Sequence, residues 1–227
     1  MFTAMVVATF GLLRTSEFTA VNQSVRYSKR KTDMNSFKAL YISNLSAEYD
    51  CDNHVKWYKL LINASKTDIF RQTVTIIIGK GKEPVCPVVL LHKMLKKRVK
   101  LAKNNPRLKV HKAAPLFIAE NGKIVSRANM SLFLKTCLTA VGLDTRNFSL
   151  YSFRIGGATM YAKRGFNDYD IQLLGRWQSA AYQTYIRKSE ADIAAMSQLM
   201  AYTPICDPNA TFLFQNVAQK DLLCHPK

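Results

Sequence analysis

Two kinds of segment divide this 227-residue sequence, and their order restricts the fold more than any other feature. Most runs of β-branched and aromatic residues fall within roughly the first 80 positions, and after Pro87 a segment with apolar residues at helical spacing begins. Strands grouped first and helices grouped after them imply an α+β arrangement, because a parallel sheet needs the two to alternate. Residues 37–45 and 55–64 read as strands, and TVTIII at 73–78 is the clearest strand in the chain. The segments 55–64 and 73–78 predict a β-hairpin with Lys66 near its turn.

Pro84 and Pro87 introduce a helix over 88–103, apolar at Leu90, Leu91, Met94, Leu95 and Val99. Its other face is basic, at Lys93, Lys96, Lys97, Arg98 and Lys100. A short strand is expected around 115–118, then a turn at Asn121-Gly122. From Arg127 to Met200 a run of helices is broken near Gly142, Gly165 and Gly175. The expectation is a single, mostly helical domain over 1–227, with a small antiparallel sheet or β-hairpin near its N-terminal half.

Residues 1–13 are apolar nearly all round and read as a buried helix. They lack the basic start of a signal peptide and reach little more than half of the ~20 residues that a membrane span requires. Thr15 or Ser16 is expected to cap the next helix, with Glu17 in its first turn facing the positive end of the helix dipole. No membrane partner is expected, and the chain is assigned to the interior of the cell.

Charge narrows the partners. Thirty-three Lys and Arg against 15 Asp and Glu leave a net charge of +18, which draws the chain to polyanions, nucleic acid above all. Hydrophobic residues at 48% exclude a disordered polyelectrolyte. Arg26, Lys29, Arg30 and Lys31 cluster in one polar stretch; with Lys93 and Lys97 they are the candidate phosphate contacts. The five cysteines are scattered without a CxxC pair, and the four histidines show no ligand spacing. That argues against a disulfide framework and against a zinc site.

Four segments supply groups that phosphoryl transfer needs. They are Gly11-Leu-Leu-Arg14-Thr-Ser-Glu17, Ser65-Lys66-Thr-Asp68, Tyr151-Ser-Phe-Arg154-Ile-Gly-Gly-Ala-Thr159, and Leu174-Gly-Arg176-Trp177 running on to Tyr185-Ile-Arg187. Guanidiniums hold phosphate oxygens bidentately, and cations fixed where charge develops lower the barrier most. A phenol can attack in line and carry the phosphate covalently, but it ionises near pH ~10 and needs a base or a cationic setting.

Taken in order, these segments resemble the tyrosine recombinase/integrase family over about residues 5–190. The family pattern is an Arg in a GLR-x-SE box, a Lys on a β-hairpin, an H-x-x-R box, a G-H/W box, and a Tyr nine residues beyond it. Arg14, Lys66, Tyr151 with Arg154, Arg176 or Trp177, and Tyr185 occupy those positions. The wording SFRIGGAT…LGRW…YIR is especially similar to recombinases of eukaryotic mobile elements and their viruses, virophages included.

The resemblance implies a tyrosine recombinase catalytic fold and a metal- and cofactor-independent enzyme that cuts and rejoins double-stranded DNA through a 3′-phosphotyrosine at Tyr185. Arg14 and Arg154 would clamp the phosphate, with Arg176 or Trp177 as a third contact, and Lys66 would protonate the leaving 5′-oxygen. It also implies a tetramer on DNA, monomeric off it, in which residues 190–227 dock on a neighbour. The workplace would be the nucleus, a viral factory or the host cytoplasm. The pattern departs from the family at Tyr151, which stands where the His is usual; the family's N-terminal core-binding domain is expected to be absent, as in a fragment or a shortened enzyme. Two alternatives stay open: a type IB topoisomerase-like nicking-closing enzyme, and a catalytically weak DNA-binding module of the same fold.

Overall fold

The computed structural model describes residues 1–20, 39–62, 73–82, 84–104, 111–119, 121–186, 189–191, 193–195 and 198. The chain divides into two compact units, Met1–Gly157 and Ala158–Lys227.

In the first unit, helix α1 (Phe2–Phe10) buries Ala4, Met5, Val6, Val7 and Ala8, as its all-round apolar sequence requires. A turn then leads into the short helix α2 (Thr15–Phe18), whose N-cap is Arg14 and not Thr15 or Ser16. The helix begins early because the Glu17 carboxylate reaches back to accept the Arg14 backbone N–H at 2.8 Å, a bond that ties the cap to the third helical residue.

Three antiparallel strands follow in the order β1 (Leu45–Tyr49), β2 (Val55–Ile62), β3 (Val74–Gly79). The β2–β3 hairpin is the one expected, in a register that places Tyr58 opposite Ile78 and Leu60 opposite Ile76. Alternation sends Tyr58, Leu60, Ile62, Ile76 and Ile78 into the core. Each fully buried aliphatic side chain there contributes roughly 2 kcal/mol of transfer free energy. The opposite face carries the Lys59–Glu48 ion pair at 2.7 Å.

The strand expected at 37–45 is displaced. Residues Ile42–Asn44 form a 3-10 turn, and the strand begins only at Leu45. The buried Asn44 decides this, its side-chain oxygen accepting the Tyr41 backbone N–H at 2.8 Å and curling the chain. Tyr41 makes an isolated bridge to Pro115 and Ile118 another to Ile124, so the strand expected at 115–118 is reduced to single pairings. At the β1–β2 turn, the backbone N–H groups of His54 and Asp52 donate to Asp50. The His54 bond holds the Asp50 carboxyl below the usual carboxylate range.

Helix α3 (Pro87–Leu101) packs on α1 and on the sheet, and it reverses part of the sequence reading. Arg98, assigned to the basic outer face, is 5% exposed, while Val99, assigned to the apolar face, is 56% exposed. The Arg98 guanidinium donates to the Pro115 carbonyl at 2.7 Å, and that charge-assisted bond offsets its desolvation. Helix α4 (Arg127–Ala140) starts at Ser126, whose hydroxyl caps the Asn129 N–H, and buries Met130, Leu134 and Leu138 along one face.

Helix α5 (Ser152–Lys163) begins in the first unit and ends in the second. At Gly157 it meets α1 with no room for a side chain, because a Cβ would collide with the Thr9 carbonyl oxygen and stand 2.6 Å from Leu12 Cδ2. A Cβ at Gly156 meets nothing within 4 Å among the described residues. Gly157→Ala should therefore destabilise by about 2 kcal/mol through overpacking, seen as a Tm lowered by roughly 4–8 °C. Gly156→Ala should be neutral or gain up to about 1 kcal/mol from helix propensity. Equal effects at the two positions in a thermal melt would contradict this packing.

In the second unit, α5 ends at Lys163, Gly165 in the following turn takes φ 81, and α6 (Asp168–Gly175) starts from the Asn167 cap. A 3-10 turn, Ala180–Tyr185, follows and packs against α6. Among the described residues no helix is long and apolar enough to cross a membrane.

Candidate active site

Within the first unit, the residues singled out around Arg14 and Arg154 converge on one turn. Arg154 is 1% exposed, and its guanidinium donates to the backbone carbonyl of Leu12, two residues before Arg14. Leu12 holds that carbonyl in place with a left-handed backbone, φ 46, unusual for a residue with a branched side chain. Such strain persists only where the surroundings enforce it, and here Leu12 is fully buried.

Arg14 keeps 22% of its side chain exposed, and its Nη1 lies 3.4 Å from Glu17 Oε1. Glu17 itself is 2% exposed, so this is an anchored pair and not the surface i,i+3 pair that sequence spacing usually signifies. Tyr151 is exposed just before α5, where its carbonyl accepts the Arg154 N–H at 3.1 Å.

Within the second unit, the αL residue after α6 is Arg176, with φ 58 and ψ 44. The Trp177 N–H returns to the Gln172 carbonyl and the Arg176 N–H to Leu173, a helix ending that normally takes Gly at the Arg176 position. Trp177 then folds flat over Gly175, where any Cβ would strike its indole ring. The indole lies 5.8 Å from the rings of both Tyr182 and Tyr185. Burial separates the two tyrosines: Tyr182 is 4% exposed and packs, whereas Tyr185 is only half-buried. The Tyr185 carbonyl accepts the Thr159 hydroxyl at 2.7 Å. The sequence reading did not single out Thr159, whose one signal is a hydroxyl closing the small-residue run after Arg154.

Lys93 and Lys97 lie exposed on α3, beside a groove of about 310 Å³ that Phe2, Met94 and Leu101 also line. Lys66 and the basic cluster Arg26, Lys29, Arg30 and Lys31 lie outside the described residues. Histidine spacing in the sequence indicated no ligand set, yet the β1–β2 turn brings atoms of Asp50, Asp52 and His54 within 4.8 Å of one another. Asp50 is occupied there with backbone N–H groups that close the hairpin.

No protein-family model and no curated protein matches the sequence. Solved structures do match. The XerH site-specific recombinase bound to palindromic difH substrate, a post-cleavage complex, aligns with TM-score 0.56 and 13% identity, over 88% of this chain and 45% of the XerH chain. The XerH pre-cleavage complex with difH aligns with TM-score 0.53 and 13% identity, over 85% and 44%. The chain thus spans less than half the length of the XerH chain. The Tn1549 transposon integrase in complex with transposon right end DNA aligns more loosely, with TM-score 0.46 and 15% identity, over 88% and 58%. With its run of helices and its three-stranded antiparallel sheet, the chain has the catalytic-domain fold of the tyrosine recombinases.

Proposed function

We propose that this chain is the catalytic domain of a site-specific DNA recombinase or integrase that cuts and rejoins strands through a covalent link to Tyr185. The observation that carries the reading is the fold shared with XerH, a site-specific recombinase bound to its difH substrate, over 88% of the chain. The wording SFRIGGAT…LGRW…YIR supports a place among mobile-element recombinases, the virophage branch included.

The Tyr185 phenol gives up its proton to solvent water, its anion favoured by the surrounding cations, and its oxygen attacks the scissile phosphorus as the bond from phosphorus to the 5′-oxygen breaks. The phosphate remains on Tyr185 as a 3′-phosphotyrosine, while the 5′-oxygen leaves as a hydroxyl with a proton from Lys66. A second 5′-hydroxyl then attacks the same phosphorus and frees Tyr185, so rejoining needs no ATP. Arg14 and Arg154 hold the non-bridging oxygens, with Arg176 as a third cation. Tyr151 hydrogen-bonds a phosphate oxygen where the family pattern has His, and Trp177 supports the ring of the nucleophile.

Phosphate contacts from Lys93, Lys97, Arg26, Lys29, Arg30 and Lys31 supply salt-dependent affinity. On DNA the protein works as a tetramer in which residues 190–227 dock on a neighbour. The test uses nicked suicide substrates bearing the ends of the parent element. A DNA-linked band on a denaturing gel is the expected result. Salt-sensitive binding without any band would leave only a binding module of this fold.

The left-handed backbone at Arg176 gives a separate prediction. Arg176→Gly and Arg176→Ala both lose the guanidinium, so both should cleave about tenfold or more slowly. Only the Ala variant keeps a Cβ at φ 58, so the Gly variant should be the more stable by about 1 kcal/mol in chemical denaturation. Equal stabilities would count against the strained conformation.

A further inference from the structure

We infer that Thr159 is the positioning residue for Tyr185, an assignment that rests on the reading of Tyr185 as the nucleophile. Tyr185 ends the 3-10 turn Ala180–Tyr185, and the final carbonyls of a helical turn have no donor within the turn. The Thr159 hydroxyl supplies one at 2.7 Å, the usual distance for an O–H···O bond, in a partly buried setting.

Threonine suits this task. Its β-branched side chain in a helix has few rotamers, so the hydroxyl direction is set by the backbone of α5. The following N–H, of Ile186, turns back to the Gln183 carbonyl at 3.2 Å, so the chain leaves the turn directly after the residue that Thr159 holds.

The second hold is on the ring. Trp177 lies 5.8 Å from the Tyr185 ring with planes tilted by 45°, and Gly175 leaves the room that fixes Trp177. Backbone and ring of Tyr185 are thus gripped by different residues. The Trp177 contact limits sideways motion of the ring. The Thr159 bond sets how far the Cα stands from α5, and therefore how far the phenolic oxygen reaches. In-line attack tolerates little error in that reach, since a misplacement of about 1 Å can cost ~10²-fold in rate.

The experiment compares Thr159→Val, Thr159→Ala and Thr159→Ser in the full chain, using the same suicide substrates. Single-turnover cleavage is measured at saturating DNA, DNA affinity by titration, and folding by circular dichroism. Thr159→Val and Thr159→Ala should cleave about 10–100-fold more slowly, with DNA affinity within about twofold of the parent. Thr159→Ser, which keeps the hydroxyl, should recover most of the rate.

Parent-like cleavage by the Val and Ala variants would overturn the inference and leave the nucleophile assignment standing. So would a Ser variant as slow as the Val variant, or a loss of DNA affinity or folding in proportion to the loss of rate, either of which would make Thr159 merely structural. Absence of a covalent adduct with the parent protein would bring down the nucleophile assignment and this inference together.

Discussion

Tyr185→Phe should abolish the covalent protein–DNA adduct while leaving DNA binding within about twofold of the parent, because the proposed function draws affinity chiefly from phosphate contacts spread over the basic surface. The substitution removes one oxygen atom. The Phe ring keeps the 5.8 Å contact with Trp177, and the backbone keeps the Thr159 bond, because neither involves the phenolic oxygen. Folding should therefore be unchanged, and cleavage should fall by more than about 10³-fold, as when a covalent nucleophile is deleted. Tyr182→Phe is the matched control. Tyr182 is 4% exposed and packs on the same indole, so its variant should cleave at close to the parent rate. An adduct that survives in Tyr185→Phe and disappears in Tyr182→Phe would move the nucleophile three residues back and undo the assignment.

Arg154→Lys carries the second large effect. Lysine keeps the positive charge but loses the planar fork, so it cannot both donate to the Leu12 carbonyl and hold two phosphate oxygens. Cleavage should drop by roughly 10²–10³-fold, the usual consequence of removing one preorganised donor from a developing charge. Stability should drop too, by about 1–3 kcal/mol, because a carbonyl buried beside a 1% exposed side chain loses its donor. The readouts are single-turnover cleavage and a denaturant titration. If cleavage falls with no loss of stability, the Leu12 bond has little structural weight. If stability falls and cleavage does not, Arg154 is a structural arginine and the phosphate clamp must be sought elsewhere.

Much of the architecture was legible because it depends on local pattern. The β2–β3 hairpin followed from β-branched runs, and α3 and α4 from apolar spacing. The breaks near Gly142 and Gly165 followed from glycines that do take positive φ. The misreadings came where a distant partner overrode that pattern. Arg98 was placed outside by its charge and Val99 inside by its apolarity, yet the Pro115 carbonyl draws the arginine in and leaves the valine out. Residues 37–45 carry strand-forming side chains, but the buried Asn44 turns them at Ile42–Asn44. Sequence places Glu17 in the first turn of its helix, and only the packed structure shows it to be buried.

By itself, the sequence determined the α+β order of elements, the polyanion-seeking charge, and the identity and spacing of Arg14, Tyr151, Arg154, Arg176, Trp177 and Tyr185. These depend on side-chain type and on periods of two or 3.6 residues, which a linear string records. Tertiary structure alone decided how those residues are held. It set the left-handed Leu12 that presents a carbonyl to Arg154, the bare Gly157 that lets α5 meet Thr9, the indole folded over Gly175, and the Thr159 hydroxyl on the Tyr185 carbonyl. Each of these joins groups through space. The free energy of such a contact depends on the partner's position, which no local propensity encodes.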